Sequence, residues 1–378
     1  MNKKQIADSL LQLADSIESG ESQNKVTIAV TNFGSELGAE NVNEAIRAAQ
    51  SPSRKLIVVG SPVEGFESYE AEGDQNVADV LQKLFREKTI DAAVTMHYPF
   101  PIGVSTVGKI ITPAKGKEMY IATTTGTTDT KREKAMVLNA INGIACAKAN
   151  GIENPTVGIL NVEAARIVEK KLKALQEGGF PIEFAESARA DGGCVMRGND
   201  VILGTPDVMV CDSLTGNVLT KLFAGYTSGG TYETTGYGYG PSLGEGHDQP
   251  VLIISRASGA PLIKNAIAYA ESSVRGNILK VQDQLYKQAH EAGLDDLLAD
   301  DEESCQPQEK VEAPPKEIVT GAVPGIDILD IDNAVQCLWK EGIYAESAMG
   351  CTGPIIQVSE ANLERAKTLL HEGGYIDE

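Results

Sequence analysis

Positive charge and aromatic rings are what this chain has least of. Its 33 Lys and Arg face 53 Asp and Glu, for a formal charge of −20, and aromatic residues make up 5% of its 378 residues. So acidic a surface repels phosphodiester backbones and anionic headgroups, which argues against nucleic-acid and membrane partners. An anionic substrate would then have to be caught by local dipoles and single side chains. No apolar run approaches the roughly 18 residues that span a bilayer. Met1–Asp8 opens a charged amphipathic pattern rather than an apolar leader, so a cytoplasmic protein is expected. The six cysteines, at 146, 194, 211, 305, 337 and 351, form no CxxC pair, and His97, His247, His290 and His371 are scattered. Neither a disulfide framework nor a metal site is expected. No Gly-x-Gly-x-x-Gly follows a strand, so no dinucleotide cofactor is expected either.

What is present is a rhythm. Apolar residues make up 42% of the chain and Gly is frequent, at 38 residues. After an amphipathic helix at 4–20, short apolar runs alternate with helical patterns. Strands are expected at Val26–Thr31, Lys55–Gly60, Asp91–Thr95, Met119–Ala122, Thr156–Asn161, Val208–Cys211 and Val251–Ser255. Helices are expected at Asn41–Ala49, Val77–Arg86, Glu133–Ala149, Glu163–Gln176, Asn217–Leu222 and Leu262–Ser273. This predicts a doubly wound, mainly parallel α/β/α core of three layers, with ligands at the carboxyl ends of its strands. An acidic, Pro-containing stretch follows and reads as a solvated linker. Beyond it, a small α+β module is expected, laid out βαββαβ, with a last strand at Gly374–Ile376. The expected organisation is an N-terminal helix (1–22), a core domain (23–292), a linker (293–317) and a C-terminal module (318–378).

Five segments have residue types suited to chemistry. Thr123–Thr130, read as a loop between a strand and the long helix, offers hydroxyls and successive N–H groups to an anion at Thr124, Thr125, Gly126 and Thr127. The alternative is a hydroxyl-rich helix cap. Asp212, Gly216 and Asn217 lie directly after an apolar strand, where Asp212 is either a site residue or a cap. Gly225–Gly246, rich in Gly and Tyr, reads as a lid or a flexible loop. Arg256 and Ser258, in a second strand-to-helix turn, and Lys264 beyond them, are candidates for pairing with phosphate. Finally, Cys351 sits between Gly350 and Thr352-Gly353-Pro354. A thiol in such a turn is accessible, and neighbouring N–H groups lower its pKa and stabilise an oxyanion. An incidental thiol is the alternative.

Residues 25–275 resemble the phosphate acyltransferases of fatty acid and phospholipid synthesis. The likeness is carried by Asn154–Asn161, by Gly204–Val218 and by Lys264-Asn265-Ala266-Ile267. It implies a layered α/β/α dimer that exchanges acyl groups between a thioester carrier and phosphate. The chain departs from that pattern at Thr31–Glu36, where an Asp-Ala-Met-Gly-Gly-Asp motif belongs, and at Arg256-Ala257, where His-Gly belongs. With Ala348-Met349-Gly350-Cys351-Thr352-Gly353-Pro354 included, nearly the whole chain is similar to the alpha subunits of component C of glycine (sarcosine, betaine) reductase. That resemblance implies an acetyl thioester on Cys351 and its release by inorganic phosphate as acetyl phosphate. It also implies a beta subunit of component C as partner and selenoprotein component A as donor of the two-carbon unit. Two other readings stand beside it: an acyltransferase using acyl-carrier thioesters independently of Cys351, and a non-catalytic subunit that docks a partner.

Overall fold

The computed structural model describes residues 25–189, 192–299, 311, 313–326, 330–350 and 353–376. The helix expected at 4–20 lies outside the described residues, as do Cys305 and Cys351. The chain divides into two compact units between Leu298 and Ala299.

The strands of the first unit are β1 (Val26–Thr31), β2 (Arg54–Gly60), β3 (Glu67–Glu70), β4 (Ala92–Thr95), β5 (Val104–Ile111), β6 (Glu118–Thr127), β7 (Thr156–Leu160), β8 (Glu183–Phe184), β9 (Val195–Met196), β10 (Val208–Val210), β11 (Gly240–Leu243) and β12 (Val251–Ile253). Its helices are α1 (Ala39–Ala48), α2 (Asp74–Arg86), α3 (Arg132–Ala149), α4 (Ala165–Glu177), α5 (Gly198–Leu203), α6 (Ser213–Gly225), α7 (Ala260–Arg275), α8 (Ile278–Glu291) and α9 (Leu294–Leu298). All the strands join one sheet in the order β3-β2-β1-β4-β12-β11-β5-β6-β10-β7-β8, with β9 also paired to β7.

Helices cover both faces of that sheet, which is why its strands are nearly continuous apolar runs. Side chains alternate across a strand. Ile28 and Val30 of β1 accordingly enter the core beneath α1, α3, α4, α7 and α8, while Ala29 faces the core beneath α2. In β10, Val208 and Val210 join the first of these cores and Met209 a third, beside α5 and α6.

The α/β expectation holds, and the sheet is mixed. One parallel half runs β3-β2-β1-β4-β12 and the other runs through β6, β10 and β7. Between them β11 and β5 pair antiparallel to their neighbours. These reversals leave β12 and β6 running in opposite directions. β5 lies between the Pro-rich turn and Met119, where no strand is expected, and β11 lies within the stretch expected as a lid or flexible loop. Both are central strands, buried on each side.

The first residues of the expected linker, Leu294–Leu298, are helical, and Leu294 is buried in the core of the first unit. Among the described residues no helix is long and apolar enough to cross a membrane.

The second unit contains β13 (Gly321–Pro324), α10 (Ile331–Lys340), β14 (Ala345–Gly350), β15 (Gly353–Val358) and α11 (Leu363–Glu372). Its antiparallel sheet has the order β13-β15-β14. Val323, Ala334, Leu338, Ile356, Val358, Ala366 and Leu370 form a core of its own. The strand expected at Gly374–Ile376 does not form, so the layout is β-α-β-β-α rather than βαββαβ. Instead the Tyr375 N–H donates to the Leu370 carbonyl (2.8 Å), and Tyr375 and Ile376 pack against the core. Gly350 of β14 pairs with Gly353 of β15, and the residues between them, Cys351 and Thr352, lie outside the described set.

Candidate functional site

Helix α6 organises the candidate residues of the first unit. β10 ends at Val210, and Asp212 caps the helix, its carboxylate accepting from the Thr215 N–H (3.0 Å) and hydroxyl (2.6 Å). Such a cap satisfies otherwise orphaned N–H groups. Gly216 lets the helix lie directly on β6, since a Cβ there would fall 1.8 Å from the Thr123 carbonyl oxygen. One residue on, Asn217 Nδ2 donates to the Thr124 carbonyl (3.1 Å).

The threonine tract is not a loop before a helix. Thr123–Thr127 continue β6, and α3 begins only at Arg132. Val107 of β5 pairs with Ala122 and Ser105 with Gly126, so Thr123, Thr124 and Thr125 bulge opposite Thr106. A bulge of this kind re-aims side chains while the flanking register continues. Here the hydroxyls turn inward. Thr123 Oγ1 donates to the Thr106 carbonyl (2.6 Å), Thr124 Oγ1 to the Tyr239 carbonyl (2.6 Å), and the Thr125 N–H to Thr106 Oγ1 (3.1 Å). Thr124 is fully buried. Gly126 has φ +73° and packs against the Val104 carbonyl, and Thr127 Oγ1 donates to the Asp129 carbonyl. Thr123 and Thr124 thus sit in a buried hydroxyl network rather than in an open loop, while Thr125 and Thr127 are half-buried and Gly126 is exposed.

The second turn, after β12, divides its residues. Arg256 Nη2 pairs with Asp74 (2.8 Å) and Nη1 donates to the Gly34 carbonyl (3.3 Å). Ser258 is buried, accepting from the Ser255 N–H (3.0 Å) and donating to Glu233 (3.3 Å). Lys264 lies on the exposed side of α7.

A residue outside the sequence-based candidates links the two turns. Lys221, one helical turn beyond Asn217, places Nζ 3.3 Å from Ser255 Oγ and 3.3 Å from a Glu233 carboxylate oxygen. Its side chain is 55% exposed while that of Glu233 is 3% exposed. Glu233 also accepts from the Tyr239 hydroxyl (3.1 Å). Burial, and then the Glu233 charge, push the Tyr239 phenol well above its usual range, so it remains a donor. One sequence signal was available: between Asp212 and Glu245 the chain contains two charged residues, Lys221 and Glu233, and they pair.

The structure therefore brings together Thr124, Asp212, Gly216 and Asn217 at the start of α6, and links Ser258 to them through Lys221 and Glu233. Arg256 and Lys264 are directed elsewhere. The Gly225–Gly246 stretch is no free lid, since it contains Glu233, the buried Tyr239 and strand β11. Among the described cysteines, burial pushes the thiols of Cys146 and Cys194 up to about 12, and that of Cys211 upward as well. Thiols so placed are poor nucleophiles at neutral pH. No cluster of three or more His, Cys, Asp or Glu among the described residues is placed to hold a metal ion.

Comparison with known proteins adds kinship to this geometry. Residues 26–357 match the model of a family described as fatty acid synthesis protein. The chain is 48% identical over 380 residues to the glycine/sarcosine/betaine reductase complex component C subunit alpha of Peptoclostridium acidaminophilum, with 99% of each chain covered. It is 34% identical over 112 residues to a phosphate acyltransferase of Acetivibrio thermocellus, covering 25% of this chain and 32% of that one. With a phosphate acyltransferase of Thermotoga maritima the identity is 28% over 244 residues, covering 52% and 72%. A branched-chain phosphotransacylase structure from Enterococcus faecalis superposes with a TM-score of 0.47 at 15% identity, covering 66% of this chain and 99% of that one. The chain belongs to the fatty acid synthesis protein family and, within it, to the family of component C alpha subunits.

Proposed function

We propose that this component C alpha-subunit relative transfers an acetyl group to inorganic phosphate and releases acetyl phosphate. The donor in this reading is an acetyl thioester on Cys351, loaded from a two-carbon unit held by selenoprotein component A, and the chain works with a beta subunit in the cytoplasm. The step is a phosphorolysis. A phosphate oxygen attacks the thioester carbonyl carbon, a C–O bond forms, the C–S bond breaks, and Cys351 leaves as the thiolate. A thioester suits this role because its carbonyl is reactive and its sulfur leaves readily.

Phosphate is assigned to the first unit, at Lys221, with Ser255 and Asn217 beside it. The observation that supports this most directly is the Lys221 ammonium, half-exposed where the two candidate turns converge. In a chain of net charge −20, one directed cation matters more than the overall field. Burial makes Cys146, Cys194 and Cys211 poor nucleophiles, which favours Cys351 over those three; Cys337 is half-buried.

The test is phosphate- or arsenate-dependent turnover of acetyl phosphate by the reconstituted complex, with mass spectrometry of the Cys351 peptide. Cys351→Ala is expected to abolish both the acetyl label and turnover. Full activity of that variant would favour a docking subunit. Turnover of long acyl-carrier thioesters by the same variant would favour the acyl-carrier reading.

A further inference from the structure

We infer that Glu233 is a positioning residue, holding the Lys221 ammonium beside Ser255 so that the pair forms one subsite for inorganic phosphate. This rests on the phosphate-binding reading above.

The Glu233 side chain is 3% exposed and that of Lys221 55%. A carboxylate removed from water must be met by donors, or it is strongly destabilising. Glu233 has three, namely the Tyr239 hydroxyl at 3.1 Å, Ser258 Oγ at 3.3 Å and Lys221 Nζ at 3.3 Å. Its backbone is held too, its N–H donating to the Ala257 carbonyl (2.9 Å) and its carbonyl accepting from the Gly259 N–H (2.8 Å). The carboxylate is thus a fixed point. Lysine is a flexible stem with a rotatable head, and on a mostly exposed helix face it would sample many rotamers. Tethering it to a fixed point orders it before an anion arrives, and preorganisation of that kind is a source of affinity.

The same carboxylate connects the two turns. Tyr239 donates its hydroxyl to Glu233, and its carbonyl accepts from Thr124 in the bulge of β6 (2.6 Å). Ser258 ties Glu233 to the turn that opens α7. The cation within that turn, Arg256, is held instead by Asp74 and the Gly34 carbonyl.

The experiment measures inorganic phosphate binding by calorimetry to the full chain carrying Cys351→Ala, which separates binding from thioester chemistry. Glu233→Gln keeps size but loses the charge and turns one acceptor oxygen into an N–H donor. It is expected to weaken phosphate by about tenfold, the cost of ordering an untethered Lys221 outweighing the removal of a nearby negative charge; tighter binding would overturn the inference. Lys221→Met should weaken phosphate similarly, and the double variant should be no weaker than Lys221→Met alone. In the reconstituted complex Glu233→Gln should raise the phosphate KM while leaving kcat nearly unchanged. If Glu233→Gln fails to fold, Glu233→Asp keeps the charge and shortens the tether, and is expected to weaken binding too. Unchanged affinity in the variant that folds, or an effect additive with that of Lys221→Met, overturns the inference and leaves the phosphate reading intact. Absence of phosphate binding by the unsubstituted chain overturns both. Absence of an acetyl label on Cys351 of the natural chain, with phosphate binding retained, sinks only the thioester reading, and the role of Glu233 stands.

Discussion

The turn from β10 into α6 and the turn from β12 into α7 look alike as sequence: each is an apolar strand followed by small and polar residues and a helix. Their surroundings make them different. The first is capped by its own Asp212 and lies flat on β6. The second is capped from a distance, by Asn41, whose Oδ1 accepts from the Ala260 N–H (2.9 Å) and whose Nδ2 donates to the Ser258 carbonyl (3.0 Å). The charges differ as well. The cation within the second turn, Arg256, is paired with Asp74. The cation that reaches toward that turn, Lys221, comes from the helix of the first. A charged residue in a favourable turn is therefore not yet a site, because its partners decide where it points.

The strongest way to sharpen this comparison is through the glycines. Gly216→Ala would put a Cβ 1.8 Å from backbone, at the Thr123 carbonyl, whereas Gly259→Ala would meet the Tyr232 ring at 2.7 Å. Backbone beneath a helix cannot step aside, while the Tyr232 side chain is 39% exposed and can. Gly216→Ala is expected to cost about 3 kcal/mol or more, the upper end for overpacking, and Gly259→Ala much less, by urea denaturation of the full chain. Equal losses would erase the distinction.

The caps come next. Asn41→Ala strips partners from both sides of the second turn and should cost about 2 kcal/mol. Asp212→Ala removes a local cap and should cost about 1 kcal/mol. The same denaturation curves check both values. A larger loss for Asp212→Ala would mean that the first turn depends on more than its cap.

The two cations should separate in binding more than in stability. Lys221→Met is expected to weaken phosphate about tenfold, equivalent to about 1.4 kcal/mol. Arg256→Met should leave phosphate affinity unchanged and cost less than about 1 kcal/mol of stability, since its pairing with Asp74 is 41% and 43% exposed. Calorimetry on the two variants decides between them. Loss of phosphate with Arg256→Met alone would return the site to the second turn.

How much was legible in the sequence varied with how far each residue's partners lie along the chain. β1, β2, β4, β7, β10 and β12 were visible as apolar runs because both faces of each are covered. β11, Gly-Pro-Ser-Leu, has no strand-forming pattern and pairs only because β12 and β5 flank it. Thr124 and Thr125 looked like anion ligands because hydroxyls beside a glycine often are. Their partners come from elsewhere in the chain, Thr106 from β5 and Tyr239 from just before β11. Lys221 lies four residues after Asn217 and is one of two charged residues between Asp212 and Glu245, but its significance comes from Glu233 and Ser255. Cys351 was singled out from its glycine-bounded setting, and its role remains a proposal.

The sequence by itself determined the α/β alternation and the families to which the chain belongs. These depend on periodicity and on short-range patterns, which survive in one dimension. Only the tertiary structure decided that the threonine hydroxyls turn inward, that Arg256 is paired with Asp74 and that Lys221 meets Glu233. The physical reason is that a polar group's availability is set by whatever donors and acceptors folding brings within about 3 Å of it, and those partners are scattered along the chain.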